Sequence, residues 1–140
     1  MSSALARRLA FLGGGLWLGI VLYATLAPRG SGFNTSGDFR VQPNLVPLQD
    51  VLRVWRNSHD RGWQLVGNLL LMMPLGVAAG LGRFSRRAWL DVVAALTLAV
   101  LIEVAQWWAL PVRVASIDDV LLNVAGFALA DLTTRRVIAT

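Results

Sequence analysis

The sequence predicts an all-α polytopic membrane protein: a bundle of four transmembrane helices with a short amphipathic helix in the first outer loop, forming one domain over residues 1–140. Three observations carry the prediction. Hydrophobic residues make up 56% of the chain and charged residues 15%, against roughly 45–50% and 25% in soluble domains; the mean hydropathy is +0.58. Four apolar stretches are long enough to cross a hydrocarbon core. Arginines, which supply all 13 basic residues, crowd the short segments that flank those stretches. The same composition excludes a disordered chain, a coiled coil and a collagen-like repeat. Without cysteine there is no disulfide framework, thiol nucleophile or cysteine-ligated zinc. With His59 as the single histidine, neither a metal site nor a cofactor is expected.

The first span, Leu9 to Ala27, carries no charge and reaches roughly 28 Å as a helix, close to the thickness of a bilayer core. Arg7 and Arg8 precede it, as they would a secretory signal, but a signal h-region has about 7–15 residues and Pro28 follows Ala27 directly, so the span reads as a retained helix. The second span, Leu65 to Leu81, is interrupted by Asn68, Pro74 and Gly76. Pro74 lacks an amide donor and predicts a kink. The third runs from Ala88 to Leu110 with Asp91, Glu103 and Gln106, and the fourth from about Ile117 to Leu132, or on to Ile138, with Asp118, Asp119, Asn123 and Asp131. Polar residues inside spans two to four fit helices that pack together and turn those groups away from lipid. In the loop from Pro28 to Gly62, Leu48, Val51, Leu52 and Trp55 follow helical i, i+3, i+4, i+7 spacing, with Asp50, Arg53 and Arg56 on the other face. That pattern predicts a helix lying on the outer surface or capping the bundle.

Orientation follows from arginine density. Arg7 and Arg8, then Arg83, Arg86 and Arg87, then Arg135 and Arg136 sit in three short segments without a carboxylate. Most of the remaining arginines are spread along the long loop among Asp38, Asp50 and Asp60. The positive-inside rule then puts both termini in the cytoplasm. Tyr23, Trp63, Trp107 and Trp108 near the outer ends and Trp89 near an inner end fit interfacial belts, while Trp17 in mid-span reads as core. Gly15-xxx-Gly19 and Gly76-xxx-Gly80 allow close helix approach, here expected within the bundle. No nucleic acid partner is expected despite the net charge of +5.

The candidate site is a polar band in the outer half of the membrane. Glu103 and Gln106 share one face of span three, and Asp119 and Asn123 one face of span four. Asn68 lies a little over a turn into span two, and Arg113 in the short loop between spans three and four. Asp118 and Asp119 also fit a capping box with Ser116, Asn68 and Asn123 fit interhelical hydrogen bonds, and Asp91 and Asp131 fit solvation or pairing with nearby arginines. An ionised carboxylate at the depth of Glu103 costs several kcal/mol unless it finds a partner or water, which makes Glu103 the hardest of the set to explain by packing.

These residues also carry a resemblance. The stretches Tyr23-Ala24-Thr25-Leu26, Asn44-Leu45-Val46-Pro47-Leu48, Gly67-Asn68 through Pro74-Leu75-Gly76, Glu103 with Gln106, and Arg113 through Ser116-Ile117-Asp118-Asp119 to Asn123 and Gly126 resemble the VanZ-like family. The resemblance implies a small protein of the bacterial cell membrane and, through the namesake of the family, an association with low-level resistance to the glycopeptide teicoplanin. Two functional expectations follow. One is a non-enzymatic envelope factor whose outer polar band meets membrane lipid and an amphiphilic antibiotic or a lipid-linked cell-wall intermediate. The other is an intramembrane enzyme or carrier for a lipid-linked phosphate, with Arg113 on the phosphate and Glu103 or Asp119 as acid or base. The second ranks lower, because no nucleophile has a neighbouring histidine in the sequence. Oligomeric state is left open.

Overall fold

The computed structural model describes residues 3–27, 42–52, 59–109 and 115–140. It contains helices α1 (Ser3–Leu26), α2 (His59–Leu71), α3 (Met73–Gly82), α4 (Ala88–Ala109) and α5 (Ile117–Ala139). The predicted third span matches α4 closely, α1 begins earlier than expected, and α5 takes the longer of the two expected ends, close to Ile138. The predicted second span is two helices broken at Met72. Pro74 occupies the first turn of α3, where its missing amide hydrogen costs least. The break leaves carbonyls without helical donors, and the Trp17 indole donates to the Leu71 carbonyl at 2.8 Å. Trp17 therefore does more than fill the core; it stitches α1 to the kink. The predicted amphipathic loop helix begins as a helical turn at residues 49–52, and its continuation through Trp55 lies outside the described residues.

Contacts place the helices up and down. At one end, Phe11 of α1 stacks on Phe84 with ring centroids 4.4 Å apart, and Arg135 of α5 donates to the Ser85 carbonyl at 3.1 Å. The start of α1, the 83–87 turn and the end of α5 thus share an arginine-bearing end. At the other end, Gln106 reaches the Thr25 carbonyl and Asn44 forms an isolated parallel bridge with Ser116; residues 42–52 pack there, so it is called the loop end below.

The centre is held by Val21, Met72, Ala79, Ala95, Ile102 and Phe127. Close approach of α5 to α2 and α3 depends on small residues. A methyl at Gly126 would strike the Leu69 carbonyl, one at Gly76 the Phe127 carbonyl, and one at Gly80 the Thr134 side chain at 2.7 Å. Gly76-xxx-Gly80 therefore packs inside the bundle as expected. Gly15-xxx-Gly19 does not: neither glycine has another described atom within 4 Å of where a methyl would sit, because α1 stands at the edge and this face points outward. That corrects the expectation of internal packing for the first pair.

Large apolar residues cover the outside, among them Leu12 at 71%, Leu16 at 70% and Leu101 at 60% exposure, more than a soluble monomer leaves bare. Tyr23, Trp63 and Trp108 are exposed at the loop end and Trp89 at the other, as interfacial belts require. Three helical segments, Ala4–Leu26, Leu65–Gly82 and Ala88–Trp108, are long and apolar enough to cross a membrane. The α5 helix, with 23 residues and roughly 35 Å of length, is not among them by composition. Its polar residues are turned inward instead: Asp118, Asp119, Asn123 and Asp131 are all buried. At the arginine-bearing end, Asp131 accepts from Arg135 Nε at 2.8 and 3.0 Å, and Arg135 also pairs with Asp91. Two carboxylates that read as solvated or paired in the sequence are thus paired, through one shared guanidinium.

Candidate functional site

The loop end of the bundle gathers the other polar residues around the first three turns of α5. Ser116 is the N-cap of that helix, and its hydroxyl accepts from the Asp118 amide at 3.3 Å. A helix start offers unpaired N–H groups and a positive dipole end, which favours acceptors and negative charge. Glu103 supplies one: its carboxylate accepts from the Ser116 amide at 3.1 Å. The intramembrane acid therefore has a structural partner, although its side chain is only 7% exposed.

Asp118 turns the other way, toward the loop. Its two oxygens accept from the amides of Leu48 at 2.5 Å and Asp50 at 2.8 Å. It caps, from 68 to 70 residues away, the helical turn that starts at residue 49. Leu48 holds a φ of 61° there, a left-handed conformation that costs a non-glycine residue about 1–2 kcal/mol. Ser116 closes the ring by donating its hydroxyl to Asp50 at 2.6 Å. The Asn44 amide donates to the Ala115 carbonyl at 2.8 Å, and the Ile117 amide to the Asn44 carbonyl at 3.0 Å. Asp118, a candidate site residue by sequence, spends both oxygens on docking the loop.

Four side-chain amides near this network are incompletely bonded. Gln106, 1% exposed, donates to the Thr25 carbonyl at 3.1 Å, yet its Oε1 has no partner among the described residues. The same holds for Oδ1 of Asn123, which is 4% exposed, and for the buried Nδ2 atoms of Asn44 and Asn68. An unpaired buried polar group costs about 1–3 kcal/mol, so four in one region are costly. Each lies in the half of the bundle toward the loop end. Gln106 lies one turn beyond Glu103. Asn123 follows Asp119 by one turn on α5, and Asn68 precedes Leu69, whose carbonyl faces Gly126. Asn44 is bridged to Ser116.

Of the sequence-predicted site residues, Glu103, Gln106, Asp118, Asp119 and Asn123 are buried, and Asn68 is half-buried on the facing helix. Arg113 lies outside the described residues. The sequence reading missed Asn44, Asp50 and the Thr25 carbonyl as members of the region. Asn44 and Thr25 sit in the stretches that carry the family resemblance, but nothing in their local spacing announces contacts to α4 and α5. Among the described residues no group of three His, Asp or Glu side chains is arranged to hold a metal ion. Chemically, the region offers neutral donors and acceptors beside two buried carboxylates, Glu103 and Asp119. The Ser116 hydroxyl accepts from the Asp118 amide in the cap and donates to the Asp50 carboxylate.

An outward apolar coat, an up-and-down helical bundle and an inward polar cluster define a multi-pass membrane protein. A family model described as VanZ/LLP1 matches residues 13–137, nearly the whole chain, and the chain belongs to that family. No curated protein and no solved structure matches it.

Proposed function

We propose that this is a four-span protein of the bacterial cytoplasmic membrane, with both termini cytoplasmic, that acts as a non-enzymatic cell-envelope factor by holding the polar part of an amphiphile at the loop end. A lipid-linked cell-wall intermediate or an acylated glycopeptide such as teicoplanin carries hydroxyls and amides on an apolar anchor, and membrane lipid offers ester carbonyls at the same depth. The observation that carries the reading is the set of unpaired amide atoms on Asn44, Asn68, Gln106 and Asn123. Side-chain amides turn to offer either oxygen or nitrogen, so the set matches a neutral hydrogen-bonding ligand and complements it without a charge. The α5 helix as the fourth span is supported by its length and by the inward direction of its carboxylates.

A second reading, an intramembrane enzyme or carrier for a lipid-linked phosphate, is favoured by one observation: Glu103 and Asp119 are two carboxylates buried in the same half of the bundle, 7% and 4% exposed, and carboxyl groups serve as acids and bases. The purified protein, wild type and Glu103→Gln, is to be tested for binding and for turnover of a lipid-linked cell-wall precursor. Binding without turnover in the wild type supports the first reading. Turnover that Glu103→Gln abolishes overturns it in favour of the second.

A further inference from the structure

At the arginine-bearing half of the bundle, away from the amide cluster, α1 and α3 touch where Gly14 faces Ala78 and Ala10 faces Gly82, and they leave an open channel on the outer side of that contact. A groove of about 440 Å³ runs between them. Its α1 wall is Ala6, Leu9, Ala10, Gly13, Gly14 and Trp17, spaced at i, i+3, i+4, i+7, i+8 and i+11, so one helix face is built of small residues between Leu9 and Trp17. Its α3 wall starts at the kink with Pro74 and ends at Leu81. Leu9, Val77 and Leu81 remain 52%, 39% and 44% exposed, so the groove opens on the outside of the bundle. The lining is almost wholly apolar carbon, because the Trp17 N–H is already committed to the Leu71 carbonyl.

The end of this groove is basic. Arg7 adjoins Ala6 and lies one turn before Ala10; Arg83 follows Leu81 by two residues. Arg8, Arg86 and Arg87 are exposed on the same end. The buried carboxylates at this end, Asp91 and Asp131, are both engaged by Arg135, and the described residues give Arg7 and Arg83 no carboxylate partner. An apolar slot of hydrocarbon-facing helix that ends in unpaired arginines is complementary to one kind of molecule, an acyl chain carrying an anionic head. Basic pockets between membrane helices hold anionic lipid head groups in just this arrangement.

We infer that the groove between α1 and α3 is a binding site for an anionic phospholipid, with one acyl chain along Leu9, Gly13, Val77 and Leu81 and the phosphate at Arg7 and Arg83. The site is independent of the amide cluster and of the function proposed for it. Gly13 provides a clean probe: no described atom lies within 4 Å of where its methyl would be, so Gly13→Leu fills the groove without displacing the helices. Gly19 is equally open but does not line the groove, and Gly19→Leu is the matched control.

The experiment is native mass spectrometry of the detergent-purified full chain with added phosphatidylglycerol or phosphatidylcholine, with thermal melting to check that each variant is folded. The wild type should retain phosphatidylglycerol with a preference of about 30-fold, since two arginines at a membrane surface each contribute about fivefold. Gly13→Leu should lose both lipids, and Gly19→Leu should behave as the wild type. Arg7→Gln combined with Arg83→Gln should keep lipid in the groove but lose the preference. Equal retention of the two lipids by the wild type would overturn the inference. So would undiminished phosphatidylglycerol binding by folded Gly13→Leu, or an equal loss in Gly19→Leu.

Discussion

The docking of residues 42–52 onto α5 rests on Asp118, and the effect of removing its carboxylate can be worked out from the geometry. Asp118 is 1% exposed and accepts from two backbone amides at 2.5 and 2.8 Å. Hydrogen bonds to a charged group contribute about 1.5–3 kcal/mol each. Leu48 is 57% exposed, so its released amide regains water and the loss falls toward the low end, about 3 kcal/mol for the pair. The left-handed turn at Leu48 loses the contact that stabilises it, which adds to the effect. Asp118→Ala should therefore free residues 42–52 as a unit while the helices stay packed, a local opening of low free energy. Hydrogen exchange of the protein in detergent is the assay. Amides of the 42–52 segment should exchange about 100-fold faster, the equivalent of about 3 kcal/mol, with α3 and α4 unchanged. Asp118→Asn keeps one acceptor and should give an intermediate rate. Unchanged exchange at 42–52 would refute the docking role, and faster exchange throughout α3 and α5 would show that Asp118 holds the bundle itself.

Three further outcomes are expected. Arg135→Gln strands the buried carboxylates of Asp91 and Asp131 and should cost about 3–5 kcal/mol, seen as a lowered melting temperature, with Asp91→Asn and Asp131→Asn in the same chain restoring most of the loss. Gly126→Ala should lower the melting temperature markedly, because its methyl meets the Leu69 carbonyl, whereas Gly15→Ala, with no described atom within 4 Å, should leave it unchanged or raised. Reporter fusions after Arg87 and after Thr140 should both read cytoplasmic, and a periplasmic reading for either would reverse the proposed topology.

The sequence displayed the helices better than the contacts between them. The charge-free run of α1 and the even apolarity of α4 needed only hydropathy to be found. Pro74 announced a break, but not that Trp17 would satisfy the Leu71 carbonyl. Past Leu132, Asp131 and Arg135, four apart on one face of α5, pair with each other, and Arg135 also reaches Asp91; i, i+4 spacing suggests the first contact and hydropathy conceals the second. The two Gly-xxx-Gly pairs look identical in sequence and differ in role, because which face of α1 meets a neighbour is decided by the whole bundle. Asp118 and Asp119 show the same limit. Adjacent carboxylates at a helix start read as a cap, yet the Asp118 carboxylate caps a turn 70 residues distant in sequence. Glu103 was legible as costly; that its partner is the Ser116 amide depends on the fold.

The central claim is that the amide cluster at the loop end keeps its bonding capacity for a ligand at the expense of stability. Asn123→Leu tests it most directly. Leucine approximates the shape of asparagine and removes a buried Oδ1 that has no partner, so the variant should melt higher, by the equivalent of about 1–3 kcal/mol. Measured beside it, binding of a lipid-linked cell-wall precursor, and teicoplanin survival of cells that make the protein, should fall to the level of cells without it. A variant that melts lower than the wild type, or one that melts higher and retains full binding, would contradict the account.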